Sequence, residues 1–267
     1  MSNQTVIFLH SPRSGGTTLR SILRYQYGGK SLHSFRNGFT CDGINSYFEL
    51  PYYSQKQIKC FRGHILFGLH EYIPNNCTYI TLIRNPIMRV ISLFGYTSGI
   101  RGNNLYKPKA HSKLKKFLDE GHAGYCTNDQ LRRIVGKTRE QSIYIDDLEI
   151  ARQNINNYFS VVGITEHFDE SILLMRKKLN WRNPYYIKNN VHGSGNMMSH
   201  IPNNLINQIK AQNQLDLEFY NEYVERFKQI KQDNVSQQEL NRFQFINKNI
   251  VNQVAPPIVS IIRKLRS

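Results

Sequence analysis

Apolar positions along this chain alternate between two periods. The runs at 5–10 and 79–83 are short and nearly continuous in β-branched and aromatic residues, which is the pattern of strands buried on both faces. Positions 57–62 and 159–163 read the same way. Between these runs, TTLRSILRYQYG carries Leu19, Ile22 and Leu23 at helical spacing and meets a stop signal at Gly28 and Gly29. Pro86 stands where a first-turn helix proline belongs, with the helix continuing over 88–96. Further helices are predicted at 112–118, 128–135, 148–157 and 169–179, whereas 31–55 has no sustained period and reads as irregular surface. After Pro202, the apolar residues Leu205, Ile209, Leu215, Phe219, Tyr223 and Phe227 trace one long amphipathic segment. Strands alternating with helices predict an α/β fold in three layers, with a mostly parallel central sheet flanked by helices and a helical C-terminal region. One domain over 1–235 is expected, with a helical extension at 236–267 packed on it or trailing it. The basic end of that extension, IVSIIRKLRS, reads first as a docked helix or frayed tail and second as a membrane contact.

Composition narrows the partners. The 267 residues hold 35 Lys+Arg against 19 Asp+Glu, a formal charge of +16, so the ligand is expected to be an anion. That sign fits nucleic acid, an acidic polysaccharide, a membrane surface or a phosphorylated cofactor equally well. No apolar run approaches the roughly 20 residues that span a bilayer. The first residues run into a strand without a basic start or an apolar signal core, so a cytoplasmic protein is expected. Cys41, Cys60, Cys77 and Cys126 are scattered, without a CxxC pair or zinc-ligand spacing, and read as reduced core thiols; no metal is expected. Cys126 and Arg132 do stand at the spacing of a cysteine-phosphatase loop. The intervening TNDQL has no glycine to bring backbone N–H groups onto an anion, and looks like an ordinary helix start.

Two segments carry candidate chemistry. In VIFLHSPRSGGTTLRSIL a strand runs through a turn of small residues into a helix, which places backbone N–H groups of Ser14, Gly15, Gly16, Thr17 and Thr18 at the positive end of the helix. Gly15 and Gly16 permit close approach of an anion, and the threonine hydroxyls add donors. The bland alternative is a plain capped strand-to-helix turn. Neither GxxxxGK[ST] nor GxGxxG is present, which argues against the triphosphate and dinucleotide versions of such a loop. In the second segment, RNPIMRVISLF, Arg84 leaves a strand end and Ser92 lies two helical turns on, so both can reach one phosphate at the carboxyl edge of the sheet.

The first segment resembles the 5'-phosphosulfate loop of sulfotransferases that use 3'-phosphoadenosine 5'-phosphosulfate (PAPS), and the wider run FLHSPRSGGTTLRSIL is similar to bacterial relatives of the heparan sulfate 2-O- and 6-O-sulfotransferases. Arg13 is a departure, because those relatives usually carry Lys there. The resemblance implies a P-loop-like fold, PAPS as donor and adenosine 3',5'-bisphosphate (PAP) as product. It also implies that Arg13 and the loop stabilise the leaving phosphate while Arg84 and Ser92 take the 3'-phosphate, in the pattern Arg-x-Pro, five residues and Ser. Arg89 matches a further position that is usually Arg. Between the two loops, KCFRGHILFGLHEYI holds Gly63-His64, which matches the pair that supplies the general base in the 2-O-sulfotransferase-like enzymes. His70 is the reserve candidate for the base. Arg62, His70 and Arg132 are candidates for the acceptor side; TNDQLRRIVG resembles a cleft-lining segment, and Lys188 falls where relatives close a loop over the cofactor. The implied reaction is in-line displacement at sulfur, onto a hydroxyl or amine of a small-molecule natural product or a glycan, with no nucleic acid involved. A basic protein that binds nucleic acid or another polyanion without catalysis is the competing reading, and it has no need of His64.

Overall fold

The computed structural model describes residues 4–35, 45, 47–100, 102–187 and 200–251. Its centre is one sheet of five parallel strands: β1 (Thr5–Leu9), β2 (Leu32–Phe35), β3 (Cys60–Gly63), β4 (Cys77–Ile83) and β5 (Phe159–Ile164), in the order β2-β3-β1-β4-β5. The near-continuous apolar runs are accounted for by burial on both faces. Val6 and Phe8 of β1 enter one core with Ile80 and Leu82 of β4, while Ile7 and Leu9 enter another with Phe61 and Tyr79. In register, Phe8 lies beside Arg62 on one side, and Leu9 beside Thr81 on the other. β1 is therefore central, and the chain passes to opposite sides of it through β3 and β4. That is a topological switch point, where the loops leaving neighbouring carboxyl ends diverge and open a crevice.

The principal helices are α1 (Gly16–Tyr27), α2 (Tyr52–Gln57), α3 (Pro86–Thr97), α4 (Pro108–Asp119), α5 (Asp129–Val135), α6 (Asp147–Tyr158) and α7 (Phe168–Leu179), followed by α8 (Asn203–Gln212), α9 (Gln214–Asn234) and α10 (Gln237–Ile246). Leu19, Ile22 and Leu23 of α1 pack on the face that holds Phe8, as their spacing predicts. α3 begins with Pro86 in its first turn, and the Asn85 side chain caps it by accepting from the N–H groups of Ile87 and Met88. α10 buries Leu240 and Phe243 in the same core as Phe219 and Phe227 of α9. The basic IVSIIRKLRS segment lies outside the described residues.

Several elements depart from the sequence-based expectation: α2 and β2 form within the stretch read as irregular, the strand expected at 57–62 begins only at Cys60, and the long C-terminal helix is broken. β2 lies inside the stretch read as irregular: its four residues, LHSF, are too few and too polar to show a period, and pairing with β3 supplies the order instead. The long helical segment after Pro202 is broken at Asn213. There the Asn213 side chain donates to the carbonyl groups of Cys126 (2.6 Å) and Ile209 (2.9 Å) and accepts from Asn128 N–H at 3.1 Å. A buried amide satisfied on three sides outweighs uninterrupted helix, and it fastens the start of α5 to the junction of α8 and α9.

Candidate active site

The turn after β1 is shaped by two glycines and a strained arginine. Gly15 caps α1 with φ at +77°, and a Cβ on Gly16 would lie 1.7 Å from His10 Nε2, so no other residue fits there without moving the ring. Arg13 holds φ at 69°, a left-handed conformation that costs a residue with a side chain about 1–2 kcal/mol. The N–H groups of Thr18 and Leu19 turn back to Gly15 O, while those of Gly16 and Thr17 make no backbone bond among the described residues. First-turn N–H groups lack an intrahelical acceptor, and these two are left to face an anion.

Residues far apart in sequence converge on this turn. Arg13 Nε donates to Ser92 Oγ at 3.2 Å, and its guanidinium lies 4.7 Å from the centre of the Tyr96 ring. Arg84, at the end of β4, donates from Nη1 to Arg13 O at 3.0 Å. Arg13, Arg84 and Ser92, singled out on sequence spacing, thus form one cationic group over the crevice. Burial lowers the Arg84 guanidinium from its ordinary value, and the neighbouring Glu166 carboxylate pulls it back up. Glu166 spends its own hydrogen bonds on Asn85 N–H (3.0 Å) and Tyr220 OH (3.1 Å). The Arg84 guanidinium therefore has no direct carboxylate bond among the described residues.

The support for this group comes from α5, and sequence reasoning did not single it out. Gln130 grips Arg84 by both sides of its backbone: Oε1 accepts from Arg84 N and Nε2 donates to Arg84 O, each at 2.8 Å. Ser14 Oγ reaches the same Oε1 at 3.5 Å, so Gln130 joins the first loop to the second. Gln130 is held in turn by Asp216, whose carboxylate accepts from the N–H groups of Gln130 (3.2 Å) and Leu131 (2.8 Å) at the start of α5. Burial raises the Asp216 carboxyl above its ordinary value, and the positive helix end and Arg89 oppose that rise. Beside it, Asp129 is fully enclosed and paired with Arg89 at 3.4 Å and Arg133 at 3.0 Å; Arg89 also donates to Tyr125 O at 2.8 Å. Arg89 is wholly buried and ties α3 to α5 rather than facing the crevice. The TNDQL segment was correctly read as a helix start. Its Gln130 carried no sequence signal beyond membership of a segment named for its resemblance.

On the other side of β1, His10 and His64 stack with ring centroids 4.3 Å apart and planes inclined by 25°. His64 Nδ1 lies 3.1 Å from His10 O. A carbonyl oxygen only accepts, so Nδ1 carries the proton and Nε2 keeps its lone pair. His64 lies at the exposed rim, yet desolvation by the surrounding protein, followed by the positive charge of Arg133, lowers it below the ordinary imidazole value. His10 is lowered further, first by burial and then by His64. Both rings are thereby held neutral near pH 7.

The remaining sequence candidates are placed elsewhere. His70 sits at the amino edge of the sheet, its Nδ1 3.0 Å from Tyr79 OH, beside a cavity of about 480 Å³ lined by Gln4, Asn75, Cys77 and Tyr158. It does not join His64. Arg132 is spent on the loop after α5, where it donates to Thr138 O at 2.7 Å and to Gln141 O. Arg62 lies beside Phe8 and Ser34 in the sheet, on the His64 side of the crevice. Thr17 is exposed and Thr18 buried in the first turn of α1. Lys188 falls outside the described residues. No cluster of three or more His, Cys, Asp or Glu suited to a metal occurs among the described residues, and no helix of theirs is long and apolar enough to cross a membrane.

The parallel α/β sheet thus belongs to a class that gathers a small-residue turn after β1, a half-buried arginine after β4 and a neutral histidine after β3 around one crevice. Comparison with known proteins makes the class specific. Residues 2–243 match the family described as Galactose-3-O-sulfotransferase, and the chain belongs to that family of sulfotransferases. Galactose-3-O-sulfotransferase 3 of Bos taurus is 25% identical over 245 residues, covering 83% of this chain and 56% of that protein. Galactose-3-O-sulfotransferase 2 of Sus scrofa is 28% identical over 134 residues, covering 45% of this chain and 32% of its own length. The galactosylceramide sulfotransferase of Mus musculus is 22% identical over 240 residues, covering 82% and 55% respectively. The chain thus spans little more than half the length of galactose-3-O-sulfotransferase 3 and of the galactosylceramide sulfotransferase. The expected sulfotransferase family is shown, but the branch is the galactose-3-O one rather than the heparan sulfate 2-O-/6-O branch that the motifs resemble.

Proposed function

We propose that this chain transfers a sulfuryl group from PAPS to a hydroxyl of a galactose-containing glycan or glycolipid, with His64 as general base. The observation that carries this reading is the convergence of Arg13, Arg84 and Ser92, from three separate elements, on a glycine turn at the start of α1. The donor set fits PAPS. A glycine turn with unused N–H groups suits the 5'-phosphosulfate, and a half-buried arginine without a carboxylate bond among the described residues, beside a serine hydroxyl, suits the 3'-phosphate. When bound, PAPS supplies an activated sulfuryl group whose S–O bond to the 5'-phosphate breaks as the acceptor oxygen bonds to sulfur, leaving PAP and a sulfate ester.

The residues divide the remaining work. His64 Nε2 takes the proton of the acceptor hydroxyl, and its Nδ1–H, held by His10 O, keeps the ring aimed. Arg13 and the Gly16 and Thr17 N–H groups stabilise the charge that grows on the bridging phosphate oxygen. Gln130 fixes Arg84 and the first loop together, so both ends of the donor are registered to one platform. The relatives named for galactose and galactosylceramide support a sugar acceptor over a small natural product. Incubating the protein with radiolabelled PAPS and a panel of galactosides and hydroxylated metabolites tests the reading. Label on the galactose 3-hydroxyl is expected, and label confined to a non-sugar acceptor would overturn the acceptor assignment. A protein that binds polyanions without catalysis would transfer no label and would tolerate loss of His64.

A further inference from the structure

Three arginines, Arg62, Arg20 and Arg24, lie near the His10–His64 pair with no acidic partner among the described residues. Arg62 stands on β3 in register beside Phe8, and Phe8 stacks on His10, which stacks in turn on His64. The Phe8 and His10 rings lie 5.2 Å apart, and Phe8 belongs to the face on which α1 packs. Arg20 and Arg24 are exposed on α1 at i and i+4, where like charges repel. None of the three makes a salt bridge or side-chain hydrogen bond among the described residues, and Arg62 Nε is fully buried without a partner. The Arg62 guanidinium is lowered first by burial and then by Arg20 and Arg24, so the three charges feel one another. Such a cluster is unfavourable in the empty protein and becomes favourable when an anion enters.

The donor does not supply that anion. Arg13, Arg84 and Ser92 gather at the loops after β1 and β4, whereas Arg62 lies on β3, across β1 from β4. We infer that Arg62, Arg20 and Arg24 form a subsite for an anionic group on the acceptor, so that the preferred substrate is a galactoside already carrying a carboxylate or sulfate next to the reacting sugar. This rests on the sulfotransferase reading and extends it from a neutral sugar to a charged one. The three side chains act in binding; none touches the reacting hydroxyl.

The test compares lactose with two charged galactosides, lactobionate and lactose carrying a 6-sulfate, at low and high salt. PAP binding is measured first, so that failure of the donor reading is seen separately. The intact protein is expected to favour at least one charged acceptor in kcat/KM by on the order of tenfold, with the preference shrinking as salt rises. Arg62→Gln is expected to abolish the preference and R20Q/R24Q to reduce it several-fold, with PAP affinity retained in both. Because R20Q/R24Q alters only exposed helix positions, it reads the subsite even if Arg62→Gln disturbs β3. Calorimetric titration with lactobionate reads the same contacts without turnover, and tighter binding than lactose is expected. Equal or weaker use of both charged acceptors by the intact protein, or a preference that survives in R20Q/R24Q and Arg62→Gln, would overturn the subsite while leaving the sulfotransferase reading untouched.

Discussion

The imidazole of His64 stacks on that of His10 at 4.3 Å and is anchored to the same residue through its carbonyl oxygen, so one histidine fixes both the plane and the tautomer of the other. His64→Ala is therefore expected to lower kcat by roughly 10²–10⁴-fold, the range of a lost general base. His70→Ala, at the opposite edge of the sheet, is expected to leave kcat within a few-fold. Steady-state rates of the two variants check this, and a reversed order would move the base to His70.

The pH dependence follows from the direction of the two shifts. His64 sits below its ordinary value of 6.5, so the base stays unprotonated at pH 7 and kcat/KM should be flat from there upward, falling only below about pH 6.5. For stability, the sign is the same. The unfolded chain binds the His10 proton more readily than the folded one, so stability is lost as pH drops below 6.5 toward the depressed folded value. Denaturation midpoints measured between pH 8 and 5 should fall on the acid side, and a profile flat to pH 5 would contradict the burial of His10.

Arg84 meets the crevice as a half-buried cation whose backbone is fixed by Gln130. Arg84→Ala should weaken PAP binding by roughly 10–100-fold, the value of one lost charge-assisted contact. Ser92→Ala removes a neutral donor and should cost less, roughly 2–10-fold. Calorimetry with PAP measures both, and unchanged affinity in Arg84→Ala would displace the 3'-phosphate from this position.

A methyl group at position 16 has nowhere to go. Gly16→Ala forces the added Cβ against His10 and should destabilise the fold by about 1–3 kcal/mol, as overpacking does, while turning the His10 ring away from His64. Thermal unfolding together with kcat reads both effects. An active, fully stable variant would mean that the loop yields more easily than its packing implies.

Asp129 is the shared anion of Arg89 and Arg133. Asp129→Ala leaves two enclosed guanidinium groups without a counterion and should cost about 3–5 kcal/mol, visible as a large drop in denaturation midpoint.

Much of this was written in local pattern. The strands at β1, β4 and β5 and the helices α1, α3 and α5 follow from apolar period, proline and glycine; Arg84 and Ser92 were brought together by their spacing, and Arg13 by the resemblance of its loop. β2 was not legible because LHSF gains its order only from β3. The break at Asn213 was not legible because its partners, Asn128 and Cys126, are more than eighty residues away in sequence. Gln130 escaped for the same reason: an amide inside a helix start looks polar and unremarkable until the backbone of Arg84 is laid against it. His64 was preferred over the reserve candidate His70 on the Gly63-His64 resemblance, and the structure places the two at opposite edges of the sheet.

Asn213 and Asp216 stand at the head of α9, far along the chain from either anion loop, yet they hold the start of α5 and through Gln130 set the position of Arg84. The donor pocket therefore has no self-sufficient minimal unit in the sheet and its first helices. Removing everything after residue 212 would delete no residue of the cationic group over the crevice and still leave the two loops unregistered, so the C-terminal helices are as necessary to the shape of that crevice as the turn at its floor.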